Sequence, residues 1–223
     1  MNMLYTNSSL LLIAVIFASG CRGGDRSVEK TSRVEVLPFY DEATFTPLWL
    51  NPEEVSDNFH RVSSFSLTNQ DGKIVTEKVL DGHVTVVDFF FTACPGICPK
   101  MTSNMKLVQD AFLKNEQVVI LSHSVTPAYD SVPILKEYAE GKGILKPEWH
   151  LLTGERSIIY DLGRNQYFIE EDLGLEKDPD DFIHTENFVL IDQKRRIRGI
   201  YNGLNKSDVK QLIADIKTLE KAI

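Results

Sequence analysis

From residue 65 onward the apolar positions of the chain switch repeatedly between a two-residue and a helical period. The stretch FSLTNQDGKIVTEKV carries two alternating arms around Asp71-Gly72, a strong signal for a hairpin. HVTVVDFFF follows as a near-continuous β-branched and aromatic run, the pattern of a strand buried on both faces. Beyond it, KMTSNMKLVQDAFLKN spaces Met101, Met105, Leu107 or Val108, and Phe112 at helical intervals, and Pro99 suits a first helical turn. QVVILSHSV predicts a second buried strand, SVPILKEYAEG a helix, WHLLT a short strand and ERSIIYDLG a short helix. ENFVLID and RIRGIYN pair as a hairpin that turns at QKR. The last helix, SDVKQLIADIKTLEKA, takes Ser207 as its N-cap and lays Val209, Leu212, Ile213, Ile216 and Leu219 on one face.

The predicted order is hairpin, β-α-β-α-β-α, hairpin, α, which implies a layered α/β domain with parallel strands at its centre. Apolar residues at 43% and charged residues at 25% fit a folded domain, and 223 residues suffice for one substantial core. The net charge of -8 excludes a general nucleic-acid surface, which rewards clustered Lys and Arg.

The first residues predict targeting instead of fold. Leu10 to Ala18 is apolar without interruption but well short of the roughly 20 residues a spanning helix needs. Ala18-Ser19-Gly20 then supplies a small-residue cleavage site directly before Cys21, so residues 1–20 read as a signal peptide of lipoprotein type. The arrangement resembles a bacterial lipobox, with Ala18 where Leu is usual, and implies Cys21 as a lipidated N-terminus. The mature chain is then extracytoplasmic, on the periplasmic side, and lipid-anchored to a bacterial membrane. Residues 21–58 read as a polar tether followed by an irregular extension that packs Trp49 on the domain, and residues 59–223 as the domain itself.

Of three cysteines, Cys94 and Cys98 remain as a pair in TACPGICPKM. On a regular helix, residues four apart hold their Cβ atoms about 5–6 Å apart, beyond the roughly 3.5–4.5 Å of a relaxed disulfide. Pro95 and Gly96 make the segment a loop, with Cys94 off the strand end and Cys98 near a helix start, where orphan N–H groups favour a thiolate. Such sulfurs can close a disulfide or converge on one soft metal ion. The strand, cysteine pair, helix, hairpin and final helix resemble the thioredoxin fold, here with an N-terminal β-hairpin extension. Two thiolates and one imidazole suit Cu(I), or copper or zinc with one open position. Among the histidines, His83 starts the strand leading to the cysteines, His60 precedes the domain's first strand, and His150 begins its own strand. His123 ends a neighbouring parallel strand and is a candidate ligand. His184 stands before ENFVLID, in the loop that a thioredoxin fold sets against the cysteine motif and where reductases of that fold usually keep a cis-proline.

TACPGICPKM, the preceding DFFFTACP, SHSVTPAYDSVPILKEYAE, WHLLTG and DFIHTENFVLID together resemble the Sco/SenC family over residues 60–221. That resemblance implies a membrane-tethered thioredoxin-fold protein that handles copper, as Cu(I) or Cu(II), through Cys94, Cys98 and His184. Its expected partner is the apo copper-bearing subunit of cytochrome c oxidase, or another copper or thiol protein. Thiol–disulfide exchange by Cys94 and Cys98 on partner cysteines is the alternative, and a copper-responsive redox sensor a third role. The acidic run EEDLGLEKDPDD either is a solvated loop or concentrates cations, with Asp180 or Asp181 able to orient His184. Met101 and Met105 are soft thioethers whose helical spacing points to core packing instead.

Overall fold

A computed structural model describes Met1 and residues 31–170, 181–183 and 185–221. The elements follow the predicted order. They are β1 (Ser66–Asn69), β2 (Ile74–Thr76), β3 (Val84–Phe90), α1 (Cys98–Ala111), β4 (Val118–Ser124), α2 (Val132–Lys142) and β5 (Trp149–Thr153). Then come α3 (Arg156–Asp161), extended by a π-helical turn over Leu162–Gln166, β6 (Asn187–Ile191), β7 (Ile197–Asn202) and α4 (Lys206–Lys221).

The strands form one seven-stranded sheet in the order β2-β1-β5-β4-β3-β6-β7. The three central strands, β5, β4 and β3, run parallel, and both flanking hairpins run antiparallel to them. This is the thioredoxin-like α/β arrangement, with the β1–β2 hairpin added at one edge through β5. The Asp71-Gly72 turn forms as its sequence predicts, Gly72 supplying a φ of 73° that a β-carbon would resist. The second hairpin turns at Gln193–Arg195.

β3 and β4 are buried along their whole length because helices and loops cover both faces of the sheet. On one face Val84, Val86 and Phe90 of β3 meet Met101 and Met105 of α1, Leu135 of α2 and Val209 of α4. On the other, Val87 and Phe89 meet Phe65, Ile159 of α3, Tyr167 and Ile183. Met101 and Met105 are therefore core residues, as their spacing implies.

Two local expectations are corrected. Trp49 does not pack on the domain: it is 62% exposed, and Phe39 is the buried aromatic of the extension. Phe39 sits under the guanidinium groups of Arg198 and Arg196, 3.8 and 4.8 Å from its ring centre. Arg198 also donates to the carbonyls of Leu37 and Pro38, so a buried cation selects which stretch of an aperiodic segment is held. Leu37 thereby lines a cavity of about 380 Å³ with Gly82, Gln117 and Gln193, at the end of the sheet where the parallel strands begin.

Ser207 is likewise not the cap of α4. The helix begins at Lys206, and Asn205 Oδ1 accepts the Ser207 N–H at 3.0 Å and its hydroxyl at 2.8 Å. Asn205→Ala should lower the unfolding free energy by about 1 kcal/mol, and Ser207→Ala by less than about 0.5 kcal/mol, in urea titrations. Equal losses would return the cap to Ser207.

Candidate metal and redox site

β3 ends at Phe90, and the chain leaves the sheet into a turn in which the Cys94 N–H donates to the Phe91 carbonyl at 3.3 Å. Pro95, Gly96 and Ile97 are exposed, and α1 starts at Cys98 with Pro99 in its first turn. The N–H groups of Lys100 and Met101 both close on the Ile97 carbonyl at 3.0 Å, which fixes the helix start against the turn. The loop-then-helix placement of the two cysteines is the one that Pro95 and Gly96 predict.

Both thiols are reduced, Cys98 buried and Cys94 half-buried. Burial pushes the Cys94 pKa upward, but hydrogen bonds from the Cys98 thiol and from the N–H groups of Cys98, Gly96 and Ile97 prevail and lower it. Burial pushes the Cys98 thiol up to about 12, with the hydrogen bond to Cys94 and the nearby Asp88 carboxyl adding to the rise. The pair is thus a partly accessible, thiolate-favouring sulfur supported by a buried thiol. Cys94 can attack a disulfide, and with Cys98 deprotonated both can bind a soft cation.

The histidines separate. His123 occupies the opposite face of the sheet from Cys98, stacked on Phe89 at 4.9 Å and beside Tyr167, so a layer of strands divides it from the cysteines. His60 pairs its Nε2 with the Gln166 carbonyl at 2.8 Å and stacks on Phe168, and His150 meets Asn69 at 3.2 Å. His83 precedes β3, at the end away from the cysteines. His184 lies outside the described residues, as do Cys21 and Asp180. Among the described residues no three His, Cys, Asp or Glu side chains converge as a metal site.

The segments flanking His184 are well fixed. Phe182 packs edge-on against Phe91, ring centres 5.5 Å apart, which brings this stretch beside the cysteine turn. Ile183 is buried against the π-helical turn, where a β-carbon on Gly163 would stand 3.1 Å from Ile183 Cδ1 and 2.8 Å from Ile169 Cδ1. Thr185 donates to the Ile169 carbonyl at 2.8 Å and accepts the Asn187 N–H that starts β6.

Two buried carboxyls near the site escape sequence reasoning. Asp88, on the Cys98 face of β3, accepts from Ser122 Oγ at 2.5 Å, and Ser122 accepts from Trp149 Nε1 at 2.9 Å. Asp130 receives donors from the loops after both β3 and β4. The one signal available for Asp88 is a charge inside the apolar run VVDFFF.

Known proteins share this sequence pattern and fold. The family model for SCO1/SenC matches residues 53–221. The structure resembles the SCO1/SenC family lipoprotein of Bacillus anthracis str. Ames at 32% identity and a TM-score of 0.63, over 72% of this chain and 95% of that one. It resembles BsSco, a cytochrome c oxidase assembly protein of the Sco family in which a disulfide switch has been identified. There the identity is 31% and the TM-score 0.62, over 74% of this chain and 95% of the other. Copper-bound ScoI of Bradyrhizobium japonicum matches at 28% identity and a TM-score of 0.56, over 71% of this chain and 99% of that protein. With the family model spanning the sheet, the dithiol turn and the final helix, the chain belongs to the SCO1/SenC family.

Proposed function

We propose that the protein is a membrane-anchored copper chaperone that holds copper through Cys94, Cys98 and His184 and delivers it to the dinuclear copper centre of cytochrome c oxidase. The observation that carries this reading is the asymmetric thiol pair, Cys94 half-buried in the turn before α1 and Cys98 buried at its start. Two soft sulfurs, one of them accessible, match copper cargo that must be both bound and released. Phe182 against Phe91 supports His184 as the third donor, since it joins the stretch before His184 to the cysteine turn. Copper in the related ScoI and the assembly role of BsSco support the cargo and the partner. Residues 1–20 serve as the signal peptide and a lipid on Cys21 as the anchor, on the periplasmic side of a bacterial membrane. The lipoprotein nature of the Bacillus anthracis relative supports this.

Copper titration of the reduced protein, the Cys94→Ser variant and the His184→Ala variant tests the proposal. We expect one copper per reduced chain, none retained by Cys94→Ser against a modest chelator, and weakened Cu(II) binding with an intact disulfide in His184→Ala. Oxidation to the Cys94–Cys98 disulfide removes both thiolates and should abolish Cu(I) binding. Copper retained by the oxidised protein would locate the metal elsewhere.

The pKa asymmetry also favours a second reading, thiol–disulfide exchange. The Cys94 thiolate attacks a partner disulfide and expels one partner thiolate. Cys98, deprotonated in turn, attacks the Cys94 sulfur, closing the intramolecular disulfide and releasing the second partner thiol. Rapid disulfide reduction by a protein that fails to retain copper would select this reading.

A further inference from the structure

Asp130 is fully buried in the turn between β4 and α2, and four donors surround its carboxylate. Oδ2 accepts the Ser124 hydroxyl at 2.5 Å, the Thr126 hydroxyl at 3.0 Å and the Thr92 N–H at 3.2 Å. Oδ1 accepts the Thr92 hydroxyl. Ser124 Oγ in turn accepts the Thr126 N–H at 3.1 Å, and the Asp130 N–H donates to the Thr126 carbonyl at 2.9 Å, so the turn after β4 is tied to itself. Its Val125 N–H also continues the β3–β4 ladder to the Phe90 carbonyl at 2.9 Å.

Against that base, Thr92 of the cysteine turn is held at both its N–H and its hydroxyl. Thr92 lies inside the turn that the Cys94 N–H closes on Phe91. A buried carboxylate loses hydration, and the four donors around it chiefly offset that loss. What it does supply here is geometry: two charge-assisted hydrogen bonds that define where the chain leaves the sheet.

We propose that Asp130 is the positioning residue of the dithiol, its carboxylate clamping Thr92 so that Cys94 is held against the N–H groups at the start of α1. The clamp acts through Thr92, and Asp130 itself touches neither sulfur nor cargo. It rests on the dithiol being the working site, as in the function proposed above, but not on the identity of the cargo.

The test uses full-length protein carrying Thr92→Val, Thr92→Ser, Ser124→Ala or Asp130→Asn, each checked for its native near-ultraviolet circular dichroism. Two copper-free quantities are read: the alkylation rate of Cys94 by iodoacetamide at pH 7, and the equilibrium constant of the Cys94–Cys98 disulfide against glutathione. Thr92→Val should slow alkylation and shift the equilibrium, each by about tenfold, the equivalent of one lost charge-assisted hydrogen bond. Asp130→Asn should follow it, and if that variant does not fold the Thr92 pair decides the matter alone. Thr92→Ser keeps both donors and should restore wild-type values within about twofold. Ser124→Ala removes a bond to the same carboxylate away from the cysteine turn, so it should lower the melting temperature while leaving both quantities unchanged. Wild-type values in Thr92→Val, or equal shifts in Ser124→Ala and Thr92→Val, would overturn the proposal. Neither readout involves copper, so a failed copper titration leaves this test intact.

Discussion

Replacing Asp88 with Asn should stabilise the protein at pH 8 by up to about 4 kcal/mol and change little at pH 4. Asp88 is 2% exposed, and burial pushes its carboxyl up to about 7 in spite of the Ser122 hydroxyl that it accepts. The folded state therefore favours the neutral acid. A group whose folded pKa lies above its unfolded value helps most at low pH, and its contribution is lost as pH rises, here from about 4 to about 7. A rise across that window, at about 1.36 kcal/mol for each pH unit, sets the size of the effect. Asn keeps the oxygen that accepts from Ser122 and never ionises, so urea unfolding of the two proteins at pH 4, 6 and 8 should diverge steadily. Parallel profiles would show that Asp88 carries no such burden.

His123 supplies the mirror image on the other face of the sheet. It is fully buried among Phe65, Phe89 and Tyr167, neither ring nitrogen makes a hydrogen bond of good geometry among the described residues, and burial lowers its pKa to about 3. Here the folded pKa is below the unfolded one, so stability is full above about 6.5 and is lost as pH falls toward about 3. His123→Phe should match or exceed wild type at pH 7, because it removes two buried nitrogens whose approach to the backbone of Asp88 and Leu121 falls short of good hydrogen-bond geometry. At pH 4 it should exceed wild type by about 3 kcal/mol. A variant less stable than wild type at both pH values would mean that the backbone of Asp88 and Leu121 satisfies the imidazole. Asp88 and His123 have opposite slopes, so from about pH 4 to 6.5 their contributions offset each other.

Neither prediction can be made from the sequence. Asp88 is visible only as a charge in an apolar strand, and its environment is assembled by Ser122 and Trp149 on two other strands. His123 reads as a candidate ligand because it ends a strand beside the cysteines, yet its place in the two-residue period turns it to the far face. What is legible is what is local or periodic. The buried strand, the Asp71-Gly72 hairpin and the break that Pro95-Gly96 puts between the cysteines all depend on neighbouring residues. Phe39 against Trp49 is not legible, because the extension has no period and the choice is made by arginines about 160 residues away. Asp130 fails for the same reason: its partner Thr92 is 38 residues distant.

Arg198, by holding Leu37 and Pro38 where the parallel strands begin, also gives the molecule a direction. The cysteine turn leaves the opposite end of β3, and seven strand residues separate the two ends by roughly 20 Å. Thr31 and Ser32 stay on the Leu37 side, against the last turns of α4. The stretch that leads into the domain therefore lies at one end of the sheet and the sulfurs at the other. Any partner that reaches the sulfurs must then approach the end of the sheet opposite Thr31 and Ser32, about one strand length away.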